Sequence, residues 1–362
     1  MEIDARVEAW ASLQLLPRVS ARTLVTLLKL FGGPAEVLAA TPAMLTKVVP
    51  GEIAATIARG PDPAALALTL AWLREPGHSL IAWDDAAYPR ALLTITDPPP
   101  TLFFHGRSEL LNRPALAIVG SRNATAQGRE TAEAFARALS TAGLTIVSGL
   151  ALGIDAAAHR GGLTGAGSSV AVIGTGIDRV YPAANRDLTH RLAVDGGLLS
   201  EFALGTPPLP ANFPRRNRLI SGLARGVLVI EATLASGSLI TARFAGEQNR
   251  DVFAIPGSIH SPFSKGGHRL IKEGAKLVET AQDVLEELGM GTSGSLPAPA
   301  LPTAHDGDTA RVLTALGYDP AGIDTLMSRC GLPVDVVSVA LVELELAGEV
   351  ASLPGGLYQR LR

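Results

Sequence analysis

Ala115-Leu116-Ala117-Ile118-Val119-Gly120-Ser121-Arg122-Asn123 opens the segment that decides the fold. An apolar run too short for a core helix passes through a glycine into a polar, basic loop, the pattern of a strand buried on both faces. Gly128–Ala142 follows, with Phe135, Leu139 and Ala142 on one helical face, and then a second apolar run, Leu144–Val147. The alternation continues through Ser169–Ile173, Gly197–Leu199, Val227–Ile230 and Val252–Ile255. Strands separated by helices in this way predict a parallel sheet with helices on both faces, a Rossmann-like α/β core over residues 76–288.

Upstream, residues 1–60 carry only helical patterning, and an N-terminal helical domain is drawn at 1–75. Ser20 is placed to cap a helix through Thr23–Leu30 that stops at Phe31-Gly32-Gly33, and Pro34 and Thr41-Pro42 each mark a further start. Short helices and tight turns suggest a sterile-alpha-motif or helix-hairpin-helix type of module. Pro17-Arg18-Val19-Ser20 lacks the glycines of a DNA-binding hairpin, which favours packing or partner contact. Downstream, residues 289–308 read as a Gly/Ser/Pro/Ala linker. Residues 309–362 then offer helical segments at Thr309–Leu316, Gly322–Ser328 and Pro333–Ala347, and a hairpin turning at Pro354-Gly355-Gly356. Three helices and a β wing describe a winged helix.

Composition bounds the function. The 362 residues exceed one ordinary core, and 47% hydrophobic against 18% charged residues is a well-buried globular balance. No apolar run is long enough for a bilayer and Met1–Glu8 is no secretory leader. The lone Cys330 excludes an intrachain disulfide and, lacking a neighbouring base, reads as a packed thiol. A cytoplasmic protein is expected. With a net charge of −3, any nucleic-acid surface must be a local concentration of basic residues.

Ligands of open parallel sheets bind beyond the carboxyl ends of the strands. Here those ends open into Gly120-Ser121-Arg122, Ser148-Gly149, Gly174-Thr175-Gly176, Ser236-Gly237-Ser238 and Ser264-Lys265. Glycines let a phosphate approach the backbone, and helix starts favour anions. One such loop is commonplace packing; a row of them along one edge suits a polymer. Phe213-Pro214-Arg215-Arg216-Asn217-Arg218 adds clustered cations beside an aromatic, with Arg186 in a neighbouring loop. Arginine forks pair with phosphate and stack on unpaired bases.

Cofactor and metal readings find little support. The Gly-x-Gly-x-x-Gly fingerprint and the Walker A sequence are both missing, so no nucleotide cofactor is expected. Asp155 and His159 share a helical face without a third ligand, and are read as a helix-start aspartate paired with a structural histidine. Glu201 and Glu231 end strands without a convergent nucleophile, so they are expected to bond loop backbone or arginine and not to act as acid or base.

Taken together these motifs resemble the DNA-processing protein A family, also called Smf. The likeness runs from Tyr88-Pro89 through Ile118-Val119-Gly120-Ser121-Arg122, Ser148-Gly149-Leu150-Ala151-Leu152-Gly153-Ile154-Asp155-x-x-x-His159 and Tyr181-Pro182-x-x-Asn185. It continues through Phe213-Pro214-x-Arg216-Asn217-Arg218, Ser236-Gly237-Ser238-Leu239-Ile240-Thr241-Ala242 and Arg250-x-Val252-Phe253-Ala254-x-Pro256-Gly257. It is dense over 85–280 and loose in the flanks. The resemblance implies a protein without catalytic activity that holds single-stranded DNA in a basic pocket and protects it. It further implies delivery of that DNA to the RecA recombinase in natural transformation, and a homodimer formed through the Rossmann-like domain. The pocket carries over to Gly120, Ser121, Arg122, Ser148, Gly149, Arg216, Asn217 and Arg218, and to Arg186 where relatives often have lysine. The tail departs from a DNA-binding winged helix, because its recognition helix carries Asp335, Glu343 and Glu345 and no cation. Phosphate would be repelled, so a protein-contact or regulatory role is expected. Two rivals stand beside this reading. One is a nucleotide phosphoribohydrolase, whose Pro-Gly-Gly-x-Gly-Thr signature is missing. The other is a scaffold that recruits recombinase without DNA.

Overall fold

The computed structural model describes residues 3–291, 305 and 307–361. The N-terminal helices are α1 (Ala5–Gln14), α2 (Ala21–Phe31), α3 (Pro34–Ala39), α4 (Pro42–Leu45), α5 (Gly51–Arg59) and α6 (Pro63–Leu73). Ser20 Oγ accepts from the Thr23 N–H and Gly32, at φ +98°, ends α2, while Thr41 caps α4. Helical structure therefore continues past residue 60, where Asp62 caps α6. Trp10, Leu13, Leu27, Leu45 and Ile57 form the core of this unit, and the same cluster reaches Phe103 and Leu198 of the sheet. Polar ties hold the junction: Arg6 pairs with Asp84 (2.6 Å) and Asp85 (2.7 Å), and Gln14 Nε2 donates to the Glu201 carbonyl (2.9 Å).

The sheet strands are β1 (His78–Ala82), β2 (Thr101–Gly106), β3 (Ala115–Gly120), β4 (Thr145–Ser148), β5 (Ser169–Val172), β6 (Gly197–Ser200), β7 (Gly226–Ile230), β8 (Asp251–Ala254) and β9 (Lys276–Leu277). Their order is β1-β2-β6-β5-β4-β3-β7-β8-β9. β1 and β2 are antiparallel, and β2 pairs antiparallel with β6; the other pairings are parallel. All six expected strands are present. The antiparallel pair was not foreseen because β2 follows Asp97-Pro98-Pro99-Pro100 and leads into no crossover helix, so the strand–helix rhythm gave it no signal.

The helices between the strands are α7 (Ala126–Thr141), α8 (Ile154–Gly162), α9 (Arg186–Asp195), α10 (Asn212–Leu223), α11 (Ser238–Glu247) and α12 (Lys265–Lys272), and α13 (Ala281–Glu287) follows β9. Alternate residues of β3 serve opposite faces, as the two-residue strand period requires. Leu116 and Ile118 join the α7/α8 side with Ala132, Leu139 and Ala157, whereas Ala117 and Val119 join Leu219 and Ala242 of α10 and α11. Gly120 must be glycine, since a Cβ there would lie 1.9 Å from the Ile230 carbonyl of the adjacent strand.

A C-terminal winged helix completes the chain: α14 (Gly307–Leu316), α15 (Ile323–Cys330), α16 (Val334–Leu346), and the small strands β10 (Ala321–Gly322), β11 (Val350–Leu353) and β12 (Leu357–Arg360). The β11–β12 hairpin turns through Gly355 and Gly356, both at positive φ. Cys330 packs against this unit's core of Val312, Leu326, Val337 and Leu341. Most of the linker expected at 289–308 lies outside the described residues. No single helix among the described residues is long and apolar enough to cross a membrane.

Candidate nucleic-acid interface

Strand order reverses at β3: β4, β5 and β6 step away on one side, β7, β8 and β9 on the other. The loops leaving β3 and β7 therefore border the crevice where α/β sheets take ligands. Arg122, in the β3 loop, is exposed, and its guanidinium lies 5.8 Å from the centroid of Phe213. The Phe213 ring in turn lies 5.7 Å from Tyr181, tilted by 38°. Arg122 pairs with no carboxylate among the described residues. A cation with no carboxylate partner among the described residues thus stands beside two adjoining, tilted aromatic rings, one of them Tyr181 at 46% exposure. Such a row can hold a phosphate at one end and unpaired bases along its length.

Helix α10 delivers its arginines to different places. Arg215 points outward, its side chain 52% exposed, lying over the Phe202 ring at 5.5 Å and pairing with Glu201 at 3.1 Å. Arg218 turns inward to the same Glu201 oxygen at 2.6 Å, with Asp97 at 3.7 Å. Glu201 is buried; burial raises its pKa against the opposing pull of Arg218 and Arg215. Arg216 is also buried, and its Nη1 donates to the carbonyls of Gly149 (2.7 Å) and Val172 at the ends of β4 and β5. Burial lowers its pKa to about 10, with the Asp155 carboxylate opposing and the Arg122 charge adding to the shift. It remains a cation at neutral pH. Asp155 is raised by burial against Arg216 and against the N–H groups of Ala151 and Gly149, which donate to it at 3.3 and 3.1 Å.

The expected site residues accordingly divide. Arg122, Arg186, Arg215 and Gly237 are exposed and Ser121 is half-buried, so these reach solvent. Asn217 Nδ2 donates to the Gly237 carbonyl (3.4 Å), tying α10 to the loop after β7. Ser148 is buried and donates to the Ile118 carbonyl (2.6 Å), and Gly149 is buried where a Cβ would lie 2.8 Å from the Arg216 guanidinium. Ser238 is buried with its hydroxyl on Ser236 (2.7 Å). Lys265 is exposed but donates to the Ile259 carbonyl (2.5 Å) and lines a groove of about 510 Å³ with Leu234, Ile259, His268 and Lys272. Ser148, Gly149, Ser238, Arg216 and Arg218 are thus engaged within the protein, where the sequence suggested open anion seats.

Asp155 and His159 do not pair with each other as expected. Asp155 accepts loop N–H groups, while His159 Nδ1 bonds Ser169 Oγ (2.7 Å) and the ring is fully buried. Glu201 and Glu231 do bond arginine and loop backbone, as read from the sequence. Tyr181 was missed as a site residue. Tyr181-Pro182, in the loop after β5, and Phe213-Pro214, in the first turn of α10, each put an aromatic directly before proline, a signal the sequence carries.

A Rossmann-like sheet without a dinucleotide loop, rimmed by arginine and aromatic side chains and followed by a winged helix, defines a class of DNA-processing proteins. The DNA recombination-mediator protein A family profile matches residues 79–289, and that of the DprA winged helix domain matches 296–356. The chain belongs to this family. Protein Smf of Escherichia coli (strain K12) is 46% identical over 301 residues, covering 81% of this chain and 80% of that protein. DNA processing protein A of Streptococcus pneumoniae has a solved structure with TM-score 0.69 and 38% identity, covering 79% of this chain and 99% of that one. A Helicobacter pylori DNA processing protein A structure, described for its single-stranded DNA binding mode, matches with TM-score 0.53 and 30% identity over 58% of this chain and 95% of that one.

Proposed function

We propose that this chain binds single-stranded DNA along the carboxyl-end rim of its sheet, protects it, and hands it to the RecA recombinase during natural transformation. The observation that carries the reading is the row Arg122–Phe213–Tyr181, with the exposed Arg215 on the same helix as Phe213. In this reading Arg122, Arg186, Arg215, Ser121, Asn217 and Gly237 meet the strand directly, with Lys265 at its far end. Gly120, Ser148, Gly149, Ser238, Arg216 and Arg218 shape the rim from beneath. Binding by stacking and phosphate contact needs no sequence readout, so it favours single strands and weakens with salt. Membership of the family supports the recombinase partner, a homodimer, a cytoplasmic setting and the lack of a catalysed reaction.

The chain is proposed to divide into units at 1–75, 76–288 and 309–362, joined by the linker at 289–308. The winged helix is assigned to protein contact: α16 exposes Val339, Val342 and Leu346 beside its acidic residues, a surface unsuited to phosphate. Competition between labelled single strand and unlabelled single or duplex DNA at matched salt tests the central claim. Preference for the single strand is expected; equal competition by duplex refutes it. Single-stranded DNA that speeds RecA filament formation only when this protein is added tests the handover.

A further inference from the structure

We propose that Glu231 is the positioning residue that holds Arg122 at the DNA-binding rim; this rests on the reading of the rim given above. Glu231 is the first residue beyond β7 and grips the β3 loop at both ends. Its carbonyl accepts the Ser121 N–H (2.7 Å), and its carboxylate accepts the Thr125 N–H (2.9 Å) and hydroxyl (2.5 Å). Thr125 caps α7 through its hydroxyl, which accepts the Gly128 N–H at 2.9 Å. Gly128 has to be glycine for this: a Cβ there would lie 2.3 Å from the Glu231 carboxyl carbon. Between the two anchors lie Arg122, Asn123 and Ala124. The other side of the loop rests on Gly153, where a Cβ would meet the Ser121 and Arg122 carbonyls at 2.3 and 2.6 Å.

Glu231 adopts φ +49°, a left-handed conformation that non-glycine residues enter only where the surroundings fix them. Its carboxylate also supplies the positive end of α7 with an anion from within the protein, and of the two arginines at this loop Arg129 is spent on the Ala124 carbonyl (2.6 Å), while Arg122 faces solvent. Nearness alone would make Glu231 a repulsive charge beside bound DNA. Positioning makes it helpful. The two roles predict opposite signs.

Single-stranded oligonucleotide affinity, measured against salt for Arg122→Ala, Glu231→Ala and the double variant, separates them. Glu231→Ala is expected to weaken binding about as much as Arg122→Ala, roughly tenfold, and to flatten the log–log salt slope by the same ~0.7. The double variant should bind no worse than Arg122→Ala, because a released loop and a missing arginine remove one contact between them. Glu231→Gln, which keeps an acceptor for Thr125 and drops the charge, should restore most of the affinity. If Glu231→Ala does not fold, Thr125→Val, which removes only the hydroxyl, should show a smaller loss with the same non-additivity toward Arg122→Ala. Additive losses, an unchanged salt slope, or tighter binding by Glu231→Ala would overturn the proposal. Wild-type affinity in Arg122→Ala would instead overturn the reading of the rim.

Discussion

Exchanging Arg122 and Arg216 for alanine should separate a binding arginine from a supporting one. Arg122 is exposed and pairs with no carboxylate among the described residues, so Arg122→Ala is expected to remove a contact to solvent-facing phosphate and little from the fold. A charge-assisted hydrogen bond at a wet rim is taken at the low end of its range, about 1.5 kcal/mol, or roughly tenfold in Kd. The slope of log affinity against log salt should fall by ~0.7, one phosphate's share for a single strand. Arg122→Lys should recover part of the affinity, since charge remains and fork geometry is lost. Arg216→Ala leaves the Gly149 and Val172 carbonyls short of a donor and Asp155 without its neighbouring cation. Removing one partner from a buried charged cluster costs about 3–5 kcal/mol. For a domain of this size that lowers Tm on the order of 10 °C. Fluorescence anisotropy across a salt series, paired with thermal melts of the same proteins, reads both quantities. The expected result is a flattened slope with intact Tm for Arg122→Ala, and a lowered Tm with an unchanged slope for folded Arg216→Ala. A flattened slope in Arg216→Ala at full stability would refute its assignment as a support.

Phe213→Ala and Tyr181→Ala should each weaken single-stranded DNA binding by about 1–3 kcal/mol and leave duplex binding unchanged; equal losses on duplex, in a competition assay, would count against base stacking. His159, fully buried, has its pKa lowered from 6.5 to about 3, chiefly by burial, with Arg216 and Arg160 adding to the shift. The unfolded chain therefore binds the proton first as pH falls below 6.5, and stability is lost from there down toward pH 3. By pH 5 the loss is about 2 kcal/mol, and a folded His159→Gln protein should show a flatter acid limb in urea titrations. A chain ending at Gly291, beyond the Leu288 carbonyl that Arg225 holds at 2.6 Å, should keep single-stranded DNA affinity within about tenfold while losing partner contact; a larger drop by gel shift would give the winged helix a direct share.

The strands of the parallel core could be read from the sequence because each is buried on both faces and so appears as an uninterrupted apolar run, as in Ala115–Val119 and Val227–Ile230. Caps and stops were equally local: Ser20, Gly32 and Thr41 act through their own hydroxyls and φ values. β1 and β2 escaped notice because they lie outside the repeating strand–helix unit, and β9 because it is two exposed residues, Lys276–Leu277, with no apolar run. Within the candidate site, the sequence named loops but could not give the directions of their side chains. Arg215, Arg216 and Arg218 lie within one turn of α10, and successive helical positions point about 100° apart. One helix thus sends Arg215 to solvent, Arg216 beneath β4 and β5, and Arg218 to Glu201. No count of basic residues along the chain distinguishes those fates; the carboxylates and carbonyls waiting at each destination come from strands far away in sequence.

The buried charges explain why a chain of net charge −3 can carry a cationic rim. Arg216 and Arg218 are held near the crevice, one beside Asp155 and the other on Glu201, so neither attracts phosphate with its full field. Arg122 and Arg215 remain at the surface, Arg215 sharing Glu201 with Arg218 and Arg122 sharing no carboxylate among the described residues. A charge partly answered by a buried carboxylate can be released to a phosphate without leaving an unpaired ion behind, because Glu201 keeps Arg218. In the proposed reading, binding exchanges one partner of Arg215 for another and adds new partners at surface arginines such as Arg122 and Arg186. That arithmetic favours contacts that form and break along a strand over one deep, fixed phosphate site. It is the behaviour that the proposed handover of DNA to a recombinase would require.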